Sequence, residues 1–376
     1  MVDLTTQYAS IQGEIDDAVL RCIRSGQYIN GNEVLHFKEQ LAEYLQINNV
    51  IPCGNATDAL QIALMALALR PGDEVIVPAF TYIAPAEAVA AIGATPVVVD
   101  VDPDTFNLNP KLIENAITRH TKAIIAVHLF GQSADMEPLQ NVASKYNIPI
   151  IEDNAQSFGA EYISHDRSRR KTGTMGTIGV TSFFPTKPLG CYGDGGALFT
   201  NDAELAERIR MTANHGQSEK YLHRLIGRNS RLDTLQAAVL SVKLKYLKQF
   251  TAARQKAADI YRRWLNVSDD CLALPYAAPY ATHVYHQFTI QVKHGKRDAL
   301  QSFLKARQIP SVVYYPLPVH RQEAYRNKIR IGSDLSVSEQ LCLSALSLPM
   351  HTELEEEQQR YISEQIHSFF NNDDPS

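Results

Sequence analysis

The chain has 376 residues, 45% of them hydrophobic and 20% charged, with a formal net charge of −5 and no basic block. Such a composition is that of an ordinary soluble globular protein; it argues against nucleic acid as a partner, and no apolar run is long enough for a membrane span. Five scattered cysteines (Cys22, Cys53, Cys191, Cys271 and Cys342) form no C-x-x-C pair, and the N-terminal segment carries no signal-peptide pattern. The expectation is a cytoplasmic protein with neither a disulfide framework nor a metal site.

Apolar positions at helical spacing predict helices over 4–24 and 33–45, separated by the loop from Gly26 to Gly31. An alternation then sets in. Strands are predicted at 49–52, 74–78, 96–101, 123–128 and 149–152, with helices over 57–69, 84–92, 110–117 and 136–146 between them. Alternation of this kind predicts a mostly parallel sheet covered on both faces, with ligands bound beyond the carboxyl ends of its strands. The charged stretch 165–171 reads as a solvated loop or, less simply, an anion-binding edge. Strands at 176–184 and 196–200 follow, then a helix opening near Asp202 and a long one over 231–265. The remainder predicts a strand (283–292), a helix (297–307), a strand (310–314) and a helix (353–369). The chain thus divides into a large domain, 1–250, with the N-terminal segment, and a smaller α/β domain, 251–376.

Four strand-to-helix turns carry polar residues. At Cys53-Gly54-Asn55-Ala56-Thr57-Asp58 small residues enter a helix, giving an anion site, a capped N-terminus, or both. At Pro78-Ala79-Phe80-Thr81-Tyr82 an aromatic ring packs in the core or covers a planar cofactor. The strand Ile150-Ile151-Glu152-Asp153 ends in two carboxylates, with Gln156 just beyond. They fit a Mg²⁺ site weakly, or a carboxylate that keeps a pyridine nitrogen protonated. Last, an apolar strand exits at Ser182 into a turn that presents Lys187 between Pro185 and Pro188. Desolvation there would make the amine a nucleophile; otherwise Lys187 is a plain turn lysine. Read together, an anion site, an aromatic, a carboxylate and a lysine in that order give the layout of a fold type I pyridoxal phosphate (PLP) enzyme.

The chain resembles the DegT/StrS family of nucleotide-sugar aminotransferases over essentially its whole length. The resemblance is carried by GQYING (26–31), NATDAL (55–60), PAFTY (78–82), EDNAQSFG (152–159), SFFPTKPLG (182–190), HGQ (215–217), NSRLDTLQAA (229–238) and YYPLP (314–318). It implies that Lys187 binds PLP as a Schiff base and carries the proton, that Asp153 pairs with the pyridinium nitrogen, that Gln156 contacts the ring hydroxyl and that Tyr82 stacks on the ring. The phosphate would lie among the backbone of Ala56 and Thr57, Ser182 and Asn229 of a neighbouring subunit, which implies a homodimer with a composite site. L-Glutamate would donate its nitrogen, leaving the pyridoxamine form to aminate a keto sugar. Ala56, Asn154, Thr186 and Arg228 depart from the usual pattern; Arg228 is expected to lie near the composite site, where it could meet an acidic substrate.

Within the family, CYGDGGA (191–197), HGQSEKYLH (215–223) and SLPMH (347–351) resemble the 3-aminotransferases, among them those that make UDP-2-acetamido-3-amino-2,3-dideoxy-D-glucuronate. Arg231 suits the uronate carboxylate, and Tyr314, Tyr315 and His320 are expected on the sugar side. The alternative substrate is a dTDP-3-keto-6-deoxyhexose. A dehydratase or a non-catalytic PLP-binding regulator is the reading from another class; dehydratase relatives carry histidine where Lys187 stands.

Overall fold

Short β-branched strands separated by helices have two apolar faces to bury, and a parallel sheet between helix layers buries both. The computed structural model describes residues 2–265, 267, 268 and 270–372. Its central sheet has eight strands, in spatial order Asn49–Cys53, Gly196–Thr200, Ile178–Ser182, Ile150–Asp153, Thr121–Val127, Glu74–Pro78, Thr95–Val99 and Arg330–Ile331. From Ile178–Ser182 to Arg330–Ile331 every pair is parallel, whereas Gly196–Thr200 runs antiparallel to both its neighbours.

Successive strand residues feed different layers, as the period of two requires. Val75 and Val77 pack with the helices Ala56–Ala66 and Ala84–Ala91 in one buried cluster. Ile76 between them joins the cluster containing Ile113, Ala116, Leu139 and Ala143, from Pro110–Ala116 and Met136–Tyr146. The fold is therefore α/β, with a mostly parallel sheet between helical layers.

A separate apolar cluster gathers a three-stranded antiparallel sheet, Leu272–Ala273, Phe288–Val292 and Ala345–Leu348, under Arg297–Ala306 and Glu356–Asn372. The 31-residue helix Thr234–Trp264 reaches both cores, with Leu240 and Leu247 packed against Phe183 and Phe199, and Ala258 and Tyr261 against Phe288. Residue 250, the sequence-based boundary, lies inside this helix.

Several elements differ from expectation. The first predicted helix is two, Leu4–Ser10 and Gln12–Ser25. The stretch predicted as a strand at 310–314 forms only one bridge, between Val312 and Ser347. It turns away from that ladder because the following residues carry Tyr315 to Gln156. The predicted strand 283–292 begins only at Phe288, because Val284 and Gln287 instead donate to the carbonyls of Gly131 and Phe130. Part of the charged 165–171 loop is a strand, Arg169–Lys171, paired with Glu161–Ile163, and Arg169 and Lys171 both bridge to Glu161. Among the described residues no helix is long and apolar enough to cross a membrane, and all five cysteines are free.

Candidate active site

The strand ladder aligns the polar turns. Cys53 pairs with Gly196, and Gly196 pairs with Ser182, so the three stand in one row at the rim of the sheet. Glycine is needed at 196: a Cβ there would come 2.7 Å from the backbone carbon of Asn55. The helix Ala56–Ala66 starts just beyond the row, capped by Asn55 Oδ1, which accepts the Asp58 N–H at 2.8 Å. Among the described residues the N–H groups of Ala56 and Thr57 have no acceptor, so the positive end of the helix is open towards Ser182. Ser182 is buried; its hydroxyl oxygen accepts the Phe184 N–H at 3.2 Å and its own proton is uncommitted.

Past Ser182 the chain makes the Lys187 turn. Lys187 N–H donates to Phe184 C=O at 2.9 Å, and Cys191 N–H to Phe183 C=O at 2.8 Å. Gly190 is required here as well, because a Cβ would sit 2.4 Å from the Pro185 carbonyl oxygen. The Lys187 side-chain amine makes no hydrogen bond or ion pair among the described residues. Burial lowers its pKa to about 8, and the nearby charge of Asp153 opposes that shift. An amine half neutral near pH 8 is a nucleophile and a base, whereas an exposed lysine is neither at neutral pH.

Glu152 and Asp153 project to opposite faces of one strand. Glu152 is fully buried and fully used: its Oε2 meets His128 Nε2 at 2.9 Å and the Gly173 N–H at 2.9 Å, and its Oε1 accepts the Met175 N–H at 2.5 Å and the Gly176 N–H. His128 Nδ1 accepts the Ala134 N–H at 3.0 Å, which assigns the ring proton to Nε2. Burial alone would raise the Glu152 pKa, but His128 and the N–H groups of Gly176 and Gly173 outweigh it and hold the carboxyl below its ordinary value. The Asp153 carboxylate has one hydrogen bond among the described residues, from the Ala155 N–H to Oδ1 at 3.0 Å. Its pKa is raised, chiefly by burial, against that bond and the charge of Lys187. One carboxylate is sealed; the other is left facing an amine.

Gln156 bridges the site to the segment after 310. Its Oε1 accepts the Phe130 N–H at 2.9 Å and its Nε2 donates to the Tyr315 hydroxyl at 3.1 Å. Tyr315 in turn lies 6.2 Å from Tyr82 and 5.7 Å from Tyr314, ring centre to ring centre. The structure thus brings together Lys187, Asp153, Gln156, Tyr315, Tyr82 and Tyr314. His320 is outside this chain of contacts: its Nε2 pairs with Glu339 at 3.0 Å. Asn229 is exposed, and Arg231, partly buried, has no side-chain hydrogen bond or ion pair among the described residues. Sequence reasoning missed His286, a buried ring whose Nδ1 has no partner among the described residues and whose pKa is driven down by burial, then by the charges of Lys187 and Arg254. Its segment, just before the strand Phe288–Val292, offered no motif to flag it. Nor did the sequence show that Arg228 is paired with Asp58, at 2.8 Å.

The signature of the DegT/DnrJ/EryC1/StrS aminotransferase family matches residues 9–367. The chain belongs to this family. It is 47% identical over 354 residues to the UDP-2-acetamido-2-deoxy-3-oxo-D-glucuronate aminotransferase of Pseudomonas aeruginosa, covering 94% of this chain and 95% of that one. It is 45% identical over 371 residues to a pleiotropic regulatory protein of Geobacillus stearothermophilus, with 98% of each covered. Among solved structures, NtdA from Bacillus subtilis with bound cofactor PMP is similar at a TM-score of 0.85 and 32% identity, over 94% of this chain and 81% of that one.

The donor set fits the PLP of such an aminotransferase. It offers an amine with a depressed pKa, a buried carboxylate with an oxygen to spare, and two open helix N–H groups beside an uncommitted hydroxyl. A cavity of about 860 Å³ elsewhere, lined by Arg70, Asp73, Arg119, Lys122 and Tyr146, opens at the other rim, where the parallel strands begin. It has no part in this arrangement.

Proposed function

We propose that this chain transfers the amino group of L-glutamate, through PLP, to the 3-keto carbon of a nucleotide-linked sugar, UDP-2-acetamido-2-deoxy-3-oxo-D-glucuronate. The products are UDP-2-acetamido-3-amino-2,3-dideoxy-D-glucuronate, a precursor for surface polysaccharide such as O-antigen lipopolysaccharide, and 2-oxoglutarate. The observation that carries the reading is the unpartnered Lys187 amine, with its pKa near 8, set against the carboxylate of Asp153. The sugar follows from the 47% identity to the Pseudomonas enzyme.

In this reading PLP supplies an electron-poor ring that stabilises negative charge at the carbon losing its proton. Asp153 keeps the ring nitrogen protonated, Tyr82 covers one ring face, and the second N–H of Gln156 Nε2 is available to the ring hydroxyl. Ala56 and Thr57 N–H groups and the Ser182 hydroxyl hold the phosphate, joined by Asn229 of a second copy. Lys187 Nζ takes the proton from the donor carbon and returns one to the sugar carbon. Arg231 pairs with the uronate carboxylate, and Tyr314, Tyr315 and His320 line the sugar side.

A homodimer is supported by apolar side chains left exposed on the arm before Asn229, with Tyr221 80% and Ile226 89% accessible. Free cysteines and a nucleotide-sugar substrate support the cytoplasm as its location.

The test is a reverse reaction followed by visible absorbance. The PLP-loaded protein should lose its visible band with UDP-2-acetamido-3-amino-glucuronate and keep it with a dTDP-3-amino-6-deoxyhexose. The opposite result would move the protein to deoxyhexoses and withdraw the role of Arg231. The Geobacillus relative's name prompts a second reading, a PLP-binding regulator without turnover. Under that reading neither sugar nor glutamate would change the band.

A further inference from the structure

A carboxylate sits in the first turn of the helix whose open end is proposed to take the phosphate. Asp58 is the third residue of the helix Ala56–Ala66, immediately after the two open N–H groups. An acidic side chain in the first turn compensates the positive end of a helix, and so competes with a phosphate for the same field. Asp58 does not act alone, however. Its Oδ1 accepts from the Arg228 guanidinium at 2.8 Å, and its Oδ2 from the Ser230 hydroxyl at 2.7 Å. Ser230 Oγ accepts in turn from the Gly54 N–H at 3.0 Å, on the turn that precedes the helix. The strand-to-helix turn and the segment from Arg228 to Arg231 are therefore tied together through one carboxylate.

We propose that Arg228 is a positioning residue for the cofactor phosphate: by neutralising Asp58 it keeps the Ala56–Thr57–Ser182 rim attractive to a dianion. This rests on the reading above that the phosphate binds at that rim. It gives Arg228 a partner within its own chain, Asp58, where the sequence suggested only an acidic substrate. The pair has a net charge of zero, so the dipole and the free N–H groups of Ala56 and Thr57 are left for the ligand. Without Arg228 the rim would hold an uncompensated carboxylate, with a side chain only 17% accessible and so weakly screened. The same tether holds Arg228 and Ser230, which flank Asn229 and precede Arg231, two residues whose side chains make no hydrogen bond among the described residues.

The test compares PLP with pyridoxal, which has the ring and the aldehyde but no phosphate. Dissociation constants for both are measured on cofactor-free full-length protein, from the visible absorbance of the bound ligand. R228Q should weaken PLP about tenfold and change pyridoxal less than about twofold, because the effect acts on phosphate charge. R228K, which retains the charge, should stay close to wild type. The double variant D58N/R228Q should regain PLP affinity to within about twofold of wild type, since removing the carboxylate removes the repulsion. A structural role would move PLP and pyridoxal together. Equal loss of PLP and pyridoxal in R228Q, unchanged PLP affinity, or no recovery in the double variant would each overturn the proposal. Failure of the wild-type protein to bind PLP at all would overturn the function proposed above and this inference with it; wild-type binding with an unaffected R228Q would overturn this inference alone.

Discussion

Glu152 and Asp153 are adjacent carboxylates on one strand, both buried, and they behave in opposite ways. Glu152 looks into the layer where His128 and the Gly173–Gly176 turn meet it, and every lone pair direction is met by a donor. Its pKa falls below the ordinary value despite burial. Asp153 looks out over the carboxyl rim towards Lys187, keeps an oxygen free, and has a raised pKa. One residue of strand register separates a carboxylate whose oxygens are all met from one with an oxygen left free. Burial alone therefore does not mark a candidate functional acid; burial without donors does.

The sharpest break of this comparison is to neutralise each carboxylate in turn. Asp153→Asn should reduce amino transfer about a thousandfold or more, roughly 4 kcal/mol, since an amide cannot hold a ring nitrogen protonated. Its effect on the cofactor-free fold should be small or favourable. A raised folded pKa means that Asp153 contributes most below its unfolded pKa and loses that contribution as pH rises through the folded value, so at neutral pH the charge is a burden. Single-turnover kinetics with glutamate and a denaturant titration would check the two halves. Glu152→Gln should do the reverse. An NH₂ group facing backbone N–H groups leaves buried donors unmet, and the fold should lose about 3 kcal/mol by urea titration. Glu152 has a lowered folded pKa, so its contribution is complete above the unfolded value and lost as pH falls through the folded one. Wild type and Glu152→Gln should therefore converge in acid. A Glu152→Gln protein as stable as wild type at pH 7 would dissolve the distinction.

The sequence carried the outward half of this pair and not the inward half. Strand ends, glycines and prolines located Asp153, Ser182 and Lys187, because turns are written locally. The partners of Glu152 lie 24 residues back at His128 and about as far forward at Gly173, and nothing local records them. The same holds for Arg330–Ile331, a two-residue strand too short for a periodic signal, which closes the sheet beside Thr95–Val99 with Arg330 bound to Glu74. Val312 and its neighbours had the composition of a strand, but a tertiary contact, Tyr315 to Gln156, overrode local preference. His286 and the pairing of Arg228 with Asp58 were illegible for a related reason: they depend on which charges face each other across the fold.

The smallest effect, and the one that separates electrostatics from packing, is expected from Lys187→Met in the cofactor-free protein. Lys187 is held near pKa 8 by burial, below the ordinary 10.5 of a lysine. A depressed lysine contributes its stability above the unfolded pKa and loses it as pH falls through the folded one. At pH 7 the wild-type protein therefore buries a charge it would rather shed, and above about pH 10.5 it buries none. Methionine has a similar length and no charge, so the variant should be more stable than wild type at pH 7. Allowing for partial exposure and for lost attraction to Asp153, the gain should be about 1–2 kcal/mol, or a few degrees of Tm. It should shrink between pH 8 and pH 10.5 and vanish above that window. A gain that persisted unchanged at high pH would come from packing alone, and Lys187 would then be no more desolvated than a lysine on the surface. A pH-dependent gain would tie the stability of the empty site to the same depressed amine on which the proposed transfer depends.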